Sequence, residues 1–350
     1  MSGAKTLKEL AGRLDVSITT VSRALSGDPA IALKTRERVA EAARKYGYVP
    51  NTAARALVSG RSGFVGLVLP IRGPHLVDSF LGEFVTGLGE GLVSRGSHLI
   101  LATAPEGETE LKVLRHLVES GRCDGVVVTR IAETDERVRY LTERGVPFVA
   151  HGQLIDDSTS YNWIDTDGAR AFAEAFEMLY ALGHRHFGLV TISEPMTFRH
   201  RRQDGLADAI ARRGDPDVRL DVATAPRFDR PARIEAINRM LAAPERPTAI
   251  IGLFDDLALT VMEEATRAGL SIPGDLSVVG FDNILASAYA PPGLTTFDAL
   301  IQQASRDIGQ LVVEIIEQRP GEPRNKLIQP AFVSRASHGP APETRTTRRN

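Results

Sequence analysis

Thr6-Leu-Lys-Glu-Leu-Ala-Gly-Arg-Leu-Asp-Val-Ser-Ile-Thr-Thr-Val-Ser-Arg-Ala-Leu25 and, further along, Tyr48-Val-Pro-Asn-Thr-Ala-Ala-Arg-Ala-Leu57 decide how this chain begins. Leu7, Leu10, Ala11 and Leu14 recur at helical spacing and make one apolar face. Thr6 followed by Glu9 is a capping box, which starts the helix at Thr6. Ser17 caps a second short helix in which Val21, Ala24 and Leu25 turn inward. Ile18, Thr19, Thr20, Ser22 and Arg23 are left on its outer, N-terminal part, a geometry that fits the major groove of double-stranded DNA. The rival reading is a plain three-helix bundle over residues 6–46. Charge decides between them. Residues 1–60 hold ten Lys/Arg against five Asp/Glu, about +5, while the whole chain carries −2, which leaves about −7 for residues 61–350. A basic head on an acidic body is the footprint of a segment that meets a polyanion.

Val21-Ser22-Arg23, Lys34-Thr35-Arg36-Glu37-Arg38-Val39 and Tyr46-Gly47-Tyr48-Val49-Pro50-Asn51 stand in the order and spacing of the LacI/GalR family of transcriptional regulators. The chain resembles that family over roughly residues 5–335. The resemblance implies a helix-turn-helix headpiece, a hinge helix and a core like the periplasmic sugar-binding proteins. It also implies a homodimer that binds a partly palindromic operator and answers to a small molecule. Ile18 and Thr19 fall where the family reads bases, Ile18 through apolar contact with a thymine methyl and Thr19 through one hydroxyl. Arg23 falls on an arginine directed at DNA. Thr20 and Ser22 are assigned to phosphates, which position the protein without specifying sequence, and Thr6 and Ser17 are also expected on the DNA-binding surface. Ser26, also on this surface, stands where many members have Asn, and Ala32 where many have a capping Ser or Thr.

Asn51–Leu57 resembles the family's hinge helix, set between Pro50 and Ser59-Gly60-Arg61-Ser62-Gly63. A helix this short is marginal alone in water. The expected role is pairing of two hinges in the minor groove, with Leu57 as the inserted wedge and Asn51, Ala54 and Arg55 against groove or backbone. The other reading makes Leu57 an ordinary linker residue.

From residue 63 on, short apolar runs alternate with helical patterns: strands at 64–69, 98–102, 125–129, 148–150, 187–191, 248–252 and 276–281, helices near 79–95, 107–120, 134–144, 167–182, 199–213, 229–241 and 256–268. Such alternation predicts parallel sheets covered on both faces. The expected fold class is α/β: an all-α helix-turn-helix headpiece plus two Rossmann-like parallel-sheet subdomains of the periplasmic-binding-protein kind. The boundaries are a headpiece at 1–49, a hinge at 50–62 and a core at 63–336. The core divides into an N-subdomain (about 63–164 plus 298–325) and a C-subdomain (about 165–297 plus 326–336). Residues 337–350 lack apolar periodicity and are expected to be a disordered tail. The tail also lacks the leucine heptads that tetramerise some family members, which favours a dimer.

Ligands of open sheets bind outside the carboxyl ends of the strands. Arg202-Gln-Asp-Gly205 resembles the family's Arg-x-x-Gly, and Val279-Gly-Phe-Asp282 its Val-Gly-Tyr/Phe-Asp. By that resemblance Arg202 and Asp282 reach the small molecule, the guanidinium donating and the carboxylate accepting from hydroxyls. Asp255, where many members have Asn, either lines the pocket or caps the helix that follows. Asp78-Ser79-Phe80 resembles an Asn-Pro-Phe of the family; Phe80 would stack on a sugar face and Asp78 accept hydroxyls. His151-Gly152 resembles a branch of sugar-responsive members. Tyr161 and Trp163 belong either to the crevice wall or to core near the crossing, and Asp165 and Asp167 can cap the next helix.

Gly87-Leu-Gly-Glu-Gly91 resembles a dinucleotide loop in composition only, since it lies inside a helix. His184-Arg-His186 has no third ligand near it in sequence, and Cys123, the single cysteine, excludes an internal disulfide and is expected in the core. No cofactor and no metal are expected. No secretory signal and no apolar run of membrane length are read, so the expected place is the cytoplasm, with no membrane partner. The reading is a repressor released by a small sugar. The alternative is a regulator that needs a purine-like corepressor, and beyond these stand a purely sugar-binding protein and an enzyme. The basic head opposes the third, and the lack of a nucleophile–base pair at recognisable spacing opposes the fourth.

Overall fold

The computed structural model describes residues 6–25, 28–48, 60–71, 79–105, 107–156, 159–318 and 321–343. Ser26, Asn51, Ala54, Arg55, Leu57 and Asp78, expected at the DNA surface, the hinge and the crevice, lie outside those residues. The chain divides into two compact units, before and after the Ser62–Gly63 peptide.

The first unit is three helices, α1 (Leu7–Leu14), α2 (Ile18–Leu25) and α3 (Leu33–Tyr46). The Thr6 hydroxyl accepts from the Glu9 peptide nitrogen at 3.2 Å, and Ser17 from that of Thr20 at 3.0 Å, so both turns start on side-chain caps. Ala32 supplies no such bond to α3. Leu10, Leu14, Val21, Val39 and Tyr48 are buried together as a small core. Arg38 donates to the Leu14 carbonyl at 2.8 Å, satisfying a helix-end acceptor that its own helix leaves open.

The second unit holds two parallel sheets. Strands β1 (Phe64–Pro70), β2 (His98–Ala104), β3 (Gly125–Thr129), β4 (Phe148–His151), β5 (Asn162–Thr166) and β11 (Asn325–Ile328) order as β11-β5-β4-β3-β1-β2. Alternate residues serve opposite faces. Val65, Leu67, Leu69, Val127 and Val149 meet Phe84, Leu88 and Leu92 of α4 (Ser79–Val93), against which α12 (Ile301–Glu317) packs. Val68, Val126, Val128 and Ala150 meet α5 (Glu110–Glu119) and α6 (Glu136–Arg144). The second sheet is β7-β6-β8-β9: β6 (His186–Ile192), β7 (Arg219–Ala225), β8 (Ala249–Gly252) and β9 (Ser277–Val279). Its helices are α7 (Gly168–Ala181), α8 (Thr197–Arg213), α9 (Arg230–Leu241) and α10 (Asp255–Arg267). The short α11 (Leu285–Tyr289) precedes an antiparallel pair, β10 (Thr296–Asp298) with β12 (Ala331–Val333).

The glycines in the middle of α4 have a packing role. A Cβ on Gly87 would come within 2.2 Å of the Gln302 carbonyl oxygen, and one on Gly91 within 2.2 Å of that of Arg306. Backbone therefore meets backbone where α4 crosses α12. Gly309 answers from the other helix, its Cβ position 2.8 Å from the Leu88 oxygen.

Three expectations are corrected. Residues 326–328 belong to the N-subdomain sheet, because Lys326, Leu327 and Ile328 pair with Ile164, Asp165 and Thr166. The stretch after Ser337 is not a disordered tail as far as it is described, to residue 343. The Ser337 hydroxyl donates to the Val278 carbonyl at 2.6 Å and accepts from the Thr295 nitrogen at 2.8 Å, while Ala341 donates to the Leu182 carbonyl at 2.9 Å. Hydrogen bonds to backbone hold this segment, which is why apolar periodicity did not reveal it. Cys123 is half-buried rather than fully inside, its thiol beside Gly66 and pushed up to about 11 by burial.

Candidate functional site

On the first unit, Ile18, Thr19, Ser22 and Arg23 are exposed on α2, while Val21 and Ala24 are buried beneath them. Amphipathic spacing places them so. Ser17 and Thr20 bond to each other through their hydroxyls at 2.8 Å. Arg23 forms an ion pair with Asp28 at 2.7 Å, which holds its guanidinium beside the helix end.

In the second unit a crevice lies between the two sheets, at the carboxyl ends of their strands. The N-subdomain contributes Phe80 from α4, Thr129 and Arg130 from the end of β3, His151 from β4 and Asp165 from β5. Across from them stand Arg201 and Arg202 of α8, Arg227 after β7, Phe254 after β8, and Phe281 with Asp282 after β9.

Arg202 is the centre of the floor. Its guanidinium lies 3.9 Å over the Phe281 ring, donates to the Leu253 carbonyl at 2.6 Å, and has Nη2 3.8 Å from the Asp282 carboxylate. Burial lowers the guanidinium's proton affinity, partly offset by Asp282. Burial likewise pushes the Asp282 carboxyl up to about 7, with Arg202 pulling the other way. Asp282 sits at φ 112°, a conformation that side chains rarely adopt. Strain of that kind is retained where a surrounding structure over-determines it, commonly at binding sites. Gly168 makes room: a Cβ there would stand 2.8 Å from Arg202 Cγ.

His151 packs against Phe80 and Phe84 with ring centroids 5.6 and 5.3 Å away, and burial lowers its proton affinity. Its Nε2, the Thr129 hydroxyl and the Arg201 Nε are buried without a hydrogen-bond partner. Each belongs to a residue of the crevice wall, and unspent polar capacity there is what a polar ligand uses.

The lips of the crevice touch. Glu133 donates its peptide nitrogen to the Pro195 carbonyl at 2.9 Å, and Thr197 donates to Ile131 through its peptide nitrogen at 3.0 Å and its hydroxyl at 3.2 Å. His200 Nε2 lies against the Glu133 carboxylate, and Arg201 donates to the Leu154 carbonyl at 2.8 Å. On the opposite side three crossovers connect the halves. There Thr166 donates to the Ala299 carbonyl at 2.9 Å, and Asp298 accepts from Leu300 at 2.8 Å and from Asn283 at 3.1 Å.

The structure thus brings Phe80, His151, Arg202 and Asp282 together. It does not bring Asp255 or Trp163 to the wall. Asp255 is fully buried, and it is not the helix cap either, since Phe254 holds that position. Its carboxylate accepts from Ile284 N at 3.0 Å and from the hydroxyls of Ser287 and Thr296, both at 2.6 Å. Burial raises its carboxyl to about 6 despite those donors. Trp163 lies three residues before the end of β5 at Thr166, about 10 Å back along the strand, and packs in the layer of Phe148 and Tyr161. Tyr161 itself is buried there, its hydroxyl accepting from Leu154 at 2.7 Å. Thr129, Arg130, Asp165, Arg201 and Arg227 were missed as wall residues. Their shared signal was position, at or just beyond a strand's carboxyl end or beside Arg202.

Among the described residues, no three His, Cys, Asp or Glu side chains converge on a metal position, and no helix is long and apolar enough to cross a membrane.

A helix-turn-helix unit followed by two parallel-sheet halves around a crevice defines a class: a DNA-binding head joined to a core of the periplasmic-binding-protein type. Residues 6–51 match the bacterial regulatory proteins of the lacI family, and residues 176–338 the periplasmic binding protein-like domain. The chain is 36% identical over 344 residues to the HTH-type transcriptional regulator AglR of Rhizobium meliloti (strain 1021), covering 96% of this chain and 95% of that one. It is 30% identical to the HTH-type transcriptional regulator RafR of Escherichia coli, covering 89% and 91%. Among solved structures, a complex of the transcriptional regulator CelR with cellobiose superposes with a TM-score of 0.71 at 25% identity, covering 95% of this chain and 100% of that one. The lac repressor dimer bound to operator and the anti-inducer ONPF shares the fold, with a TM-score of 0.80 at 22% identity, covering 95% and 98%. The chain belongs to the LacI family of bacterial regulatory proteins, and it is a transcriptional regulator.

Proposed function

We propose that this regulator binds a partly palindromic operator as a homodimer and is released from it when a small carbohydrate occupies the crevice. The observation that carries the reading is the Arg202–Asp282 pair. Two buried groups of opposite charge, one donor-only and one acceptor when ionised, face a space walled by both subdomains. A polyol satisfies both at once. The relative solved with cellobiose supports the choice of ligand class.

The crevice is held shut on one side by the 131–133 and 195–197 lips and bends on the other at the crossovers. A ligand that contacts both halves changes their balance of closure by its differential affinity for the two states. Residues 50–62 join the head to the core in sequence, so the change reaches the head through them. Coupling of about 1–3 kcal/mol suffices, and it is reciprocal: operator weakens the carbohydrate as much as carbohydrate weakens operator.

The test is titration of a carbohydrate panel into the protein on an operator fragment, followed by fluorescence anisotropy. Release by a carbohydrate supports the reading. Tightening by a purine base, with no release by any carbohydrate, replaces it with a corepressor.

A further inference from the structure

We propose that Arg137, seated on Asp135, is the positioning residue for closure of the crevice: it shapes the 129–133 loop so that the N-subdomain lip meets the C-subdomain lip in register. The effector reading says what fills the crevice. This inference goes beyond it to what lets the crevice shut, and the protein alone suffices to test it.

The bond pattern of the lips is the first observation. Glu133 donates its peptide nitrogen to the Pro195 carbonyl, and the Ile131 carbonyl accepts from the nitrogen of Thr197, on either side of the facing pair Ala132 and Met196. This is an antiparallel ladder one pair long, strung between two subdomains. A ladder so short has no neighbours to hold its register. Its bonds fail beyond about 3.5 Å, so both edges must be shaped before they meet. On the C-subdomain side the edge runs straight into α8, whose first residue is Thr197. On the N-subdomain side the edge belongs to the loop between β3 and α6, and a loop needs a brace.

Arg137 is that brace. The chain turns at Arg130 with φ 56°, in the left-handed region that residues other than glycine seldom enter. Arg137 Nη2 donates to the carbonyls on either side of the turn, Thr129 at 3.2 Å and Arg130 at 3.0 Å. The same nitrogen reaches Asp135 Oδ2 at 2.6 Å, and that oxygen accepts from the Ala132 nitrogen at 3.1 Å. Ala132 is the residue that faces Met196 across the crevice. The brace therefore grips the lip one residue away from each of its two bonds.

Capping of α6 does not call for this arrangement. Asp135 Oδ1 alone accepts from the nitrogens of Arg137 and Val138, at 3.0 and 3.4 Å, which leaves Oδ2 to the loop and to the guanidinium. The Arg137 side chain is 11% exposed and that of Asp135 2%, and Glu110 of α5 pairs with Nη1. Burying a guanidinium costs solvation that only a full set of partners offsets. A planar fork holds several acceptors in fixed directions, which an ammonium does not. Neither Arg137 nor Asp135 lines the crevice, so both act on a ligand only through the loop.

Amide hydrogen exchange of the full-length protein without ligand, read by mass spectrometry on overlapping peptides, tests this. The reporter is the Thr197 amide, which belongs to the other subdomain and is bonded to Ile131 across the crevice. In Arg137→Met the amides of Thr197 and Glu133 should exchange at least about fivefold faster than in the wild type, with Arg137→Lys in between. A residue that only holds its own subdomain together would speed exchange over residues 129–138 and leave Thr197 as it was. Amides inside β3, at 126–128, should not change, which shows that the variant is folded. If Arg137→Met does not fold, Asp135→Asn takes its place: it keeps Oδ1 for the cap, turns the loop-facing oxygen into a donor, and should speed Thr197 likewise. The proposal is overturned if Thr197 exchange is unchanged in the folded variant. It is also overturned if the wild-type Thr197 amide exchanges as fast as an unstructured peptide. Failure of every carbohydrate to release operator would sink the effector reading and leave this inference standing; unchanged Thr197 exchange would do the reverse.

Discussion

Thr197 donates to Ile131 twice, through its peptide nitrogen at 3.0 Å and its hydroxyl at 3.2 Å, and so joins the two halves of the core at the lip of the crevice. The carbonyl of one subdomain is the acceptor for the first turn of a helix in the other. Opening the crevice breaks both bonds. Thr197→Val removes the second and keeps the shape, at a cost to the closed form of about 1 kcal/mol. Ligands that need closure should bind about fivefold more weakly to this variant, read by titration calorimetry. Unchanged affinity would show that the lip contact does not contribute to closure.

Asp282 and Asp255 make core stability depend on pH in an unusual direction. Their carboxyls are raised to about 7 and about 6 from an ordinary 3.8. The folded state therefore holds more protons than the unfolded state between about pH 4 and 7, and its stability falls as pH rises through that window. Asp282→Asn should flatten the upper part of this slope and stabilise the core at pH 8 by about 1–4 kcal/mol. Asn also tolerates positive φ better than most residues. The same change removes the charge facing Arg202 and turns one of two acceptor oxygens into a donor, so carbohydrate binding should be largely lost while the melting temperature rises. A lower melting temperature at pH 8 would contradict the role given to burial.

The glycines of α4 supply an internal control. Gly91→Ala drives a methyl to 2.2 Å from the Arg306 oxygen, whereas the Cβ position on Gly89 meets nothing within 4 Å. Gly91→Ala should destabilise the core by about 1–3 kcal/mol or more. Gly89→Ala should stabilise it by about 0.5–1 kcal/mol, because helix interiors favour Ala over Gly. Urea midpoints of both variants decide the point; a shared direction of change would refute the close crossing of α4 and α12.

Much of the architecture was legible because periodicity is a direct record of burial. The strands at 64–70, 125–129 and 249–252 are apolar on both faces, and their runs announced them. The strand Arg219-Leu-Asp-Val-Ala-Thr-Ala225 escaped notice because it lies at a sheet edge and exposes Arg219, Asp221 and Val222. Missing that strand also hid Arg227, which stands just beyond its end. Asp255 misled for the opposite reason. A carboxylate at the start of a helix after a strand reads as a ligand or a cap, and only the fold shows Ser287 and Thr296 closing over it. Its separation from them by 32 and 41 residues puts such partners beyond any local pattern.

The segment after Ser337 should prove integral to the C-subdomain. The Gly339 carbonyl accepts from His184 Nε2 at 3.0 Å, and its nitrogen donates to the Ser277 hydroxyl at 3.0 Å. Ending the chain at Ala336 strips partners from His184, Ser277 and Thr295, and unfolding by urea should shift by about 1–3 kcal/mol. Equal midpoints for the full chain and the shortened one would return the segment to the status of a tail.

The central claim is that what fills the crevice decides how tightly the head holds DNA. It is tested most directly by anisotropy of a labelled operator fragment with wild-type protein and Asp282→Asn, each with and without a saturating carbohydrate that calorimetry shows to bind the wild type. The account predicts that operator affinity falls about 5–150-fold for the wild type and does not move for the variant. Operator affinity that stays constant in the wild type, with the crevice demonstrably occupied, would contradict it.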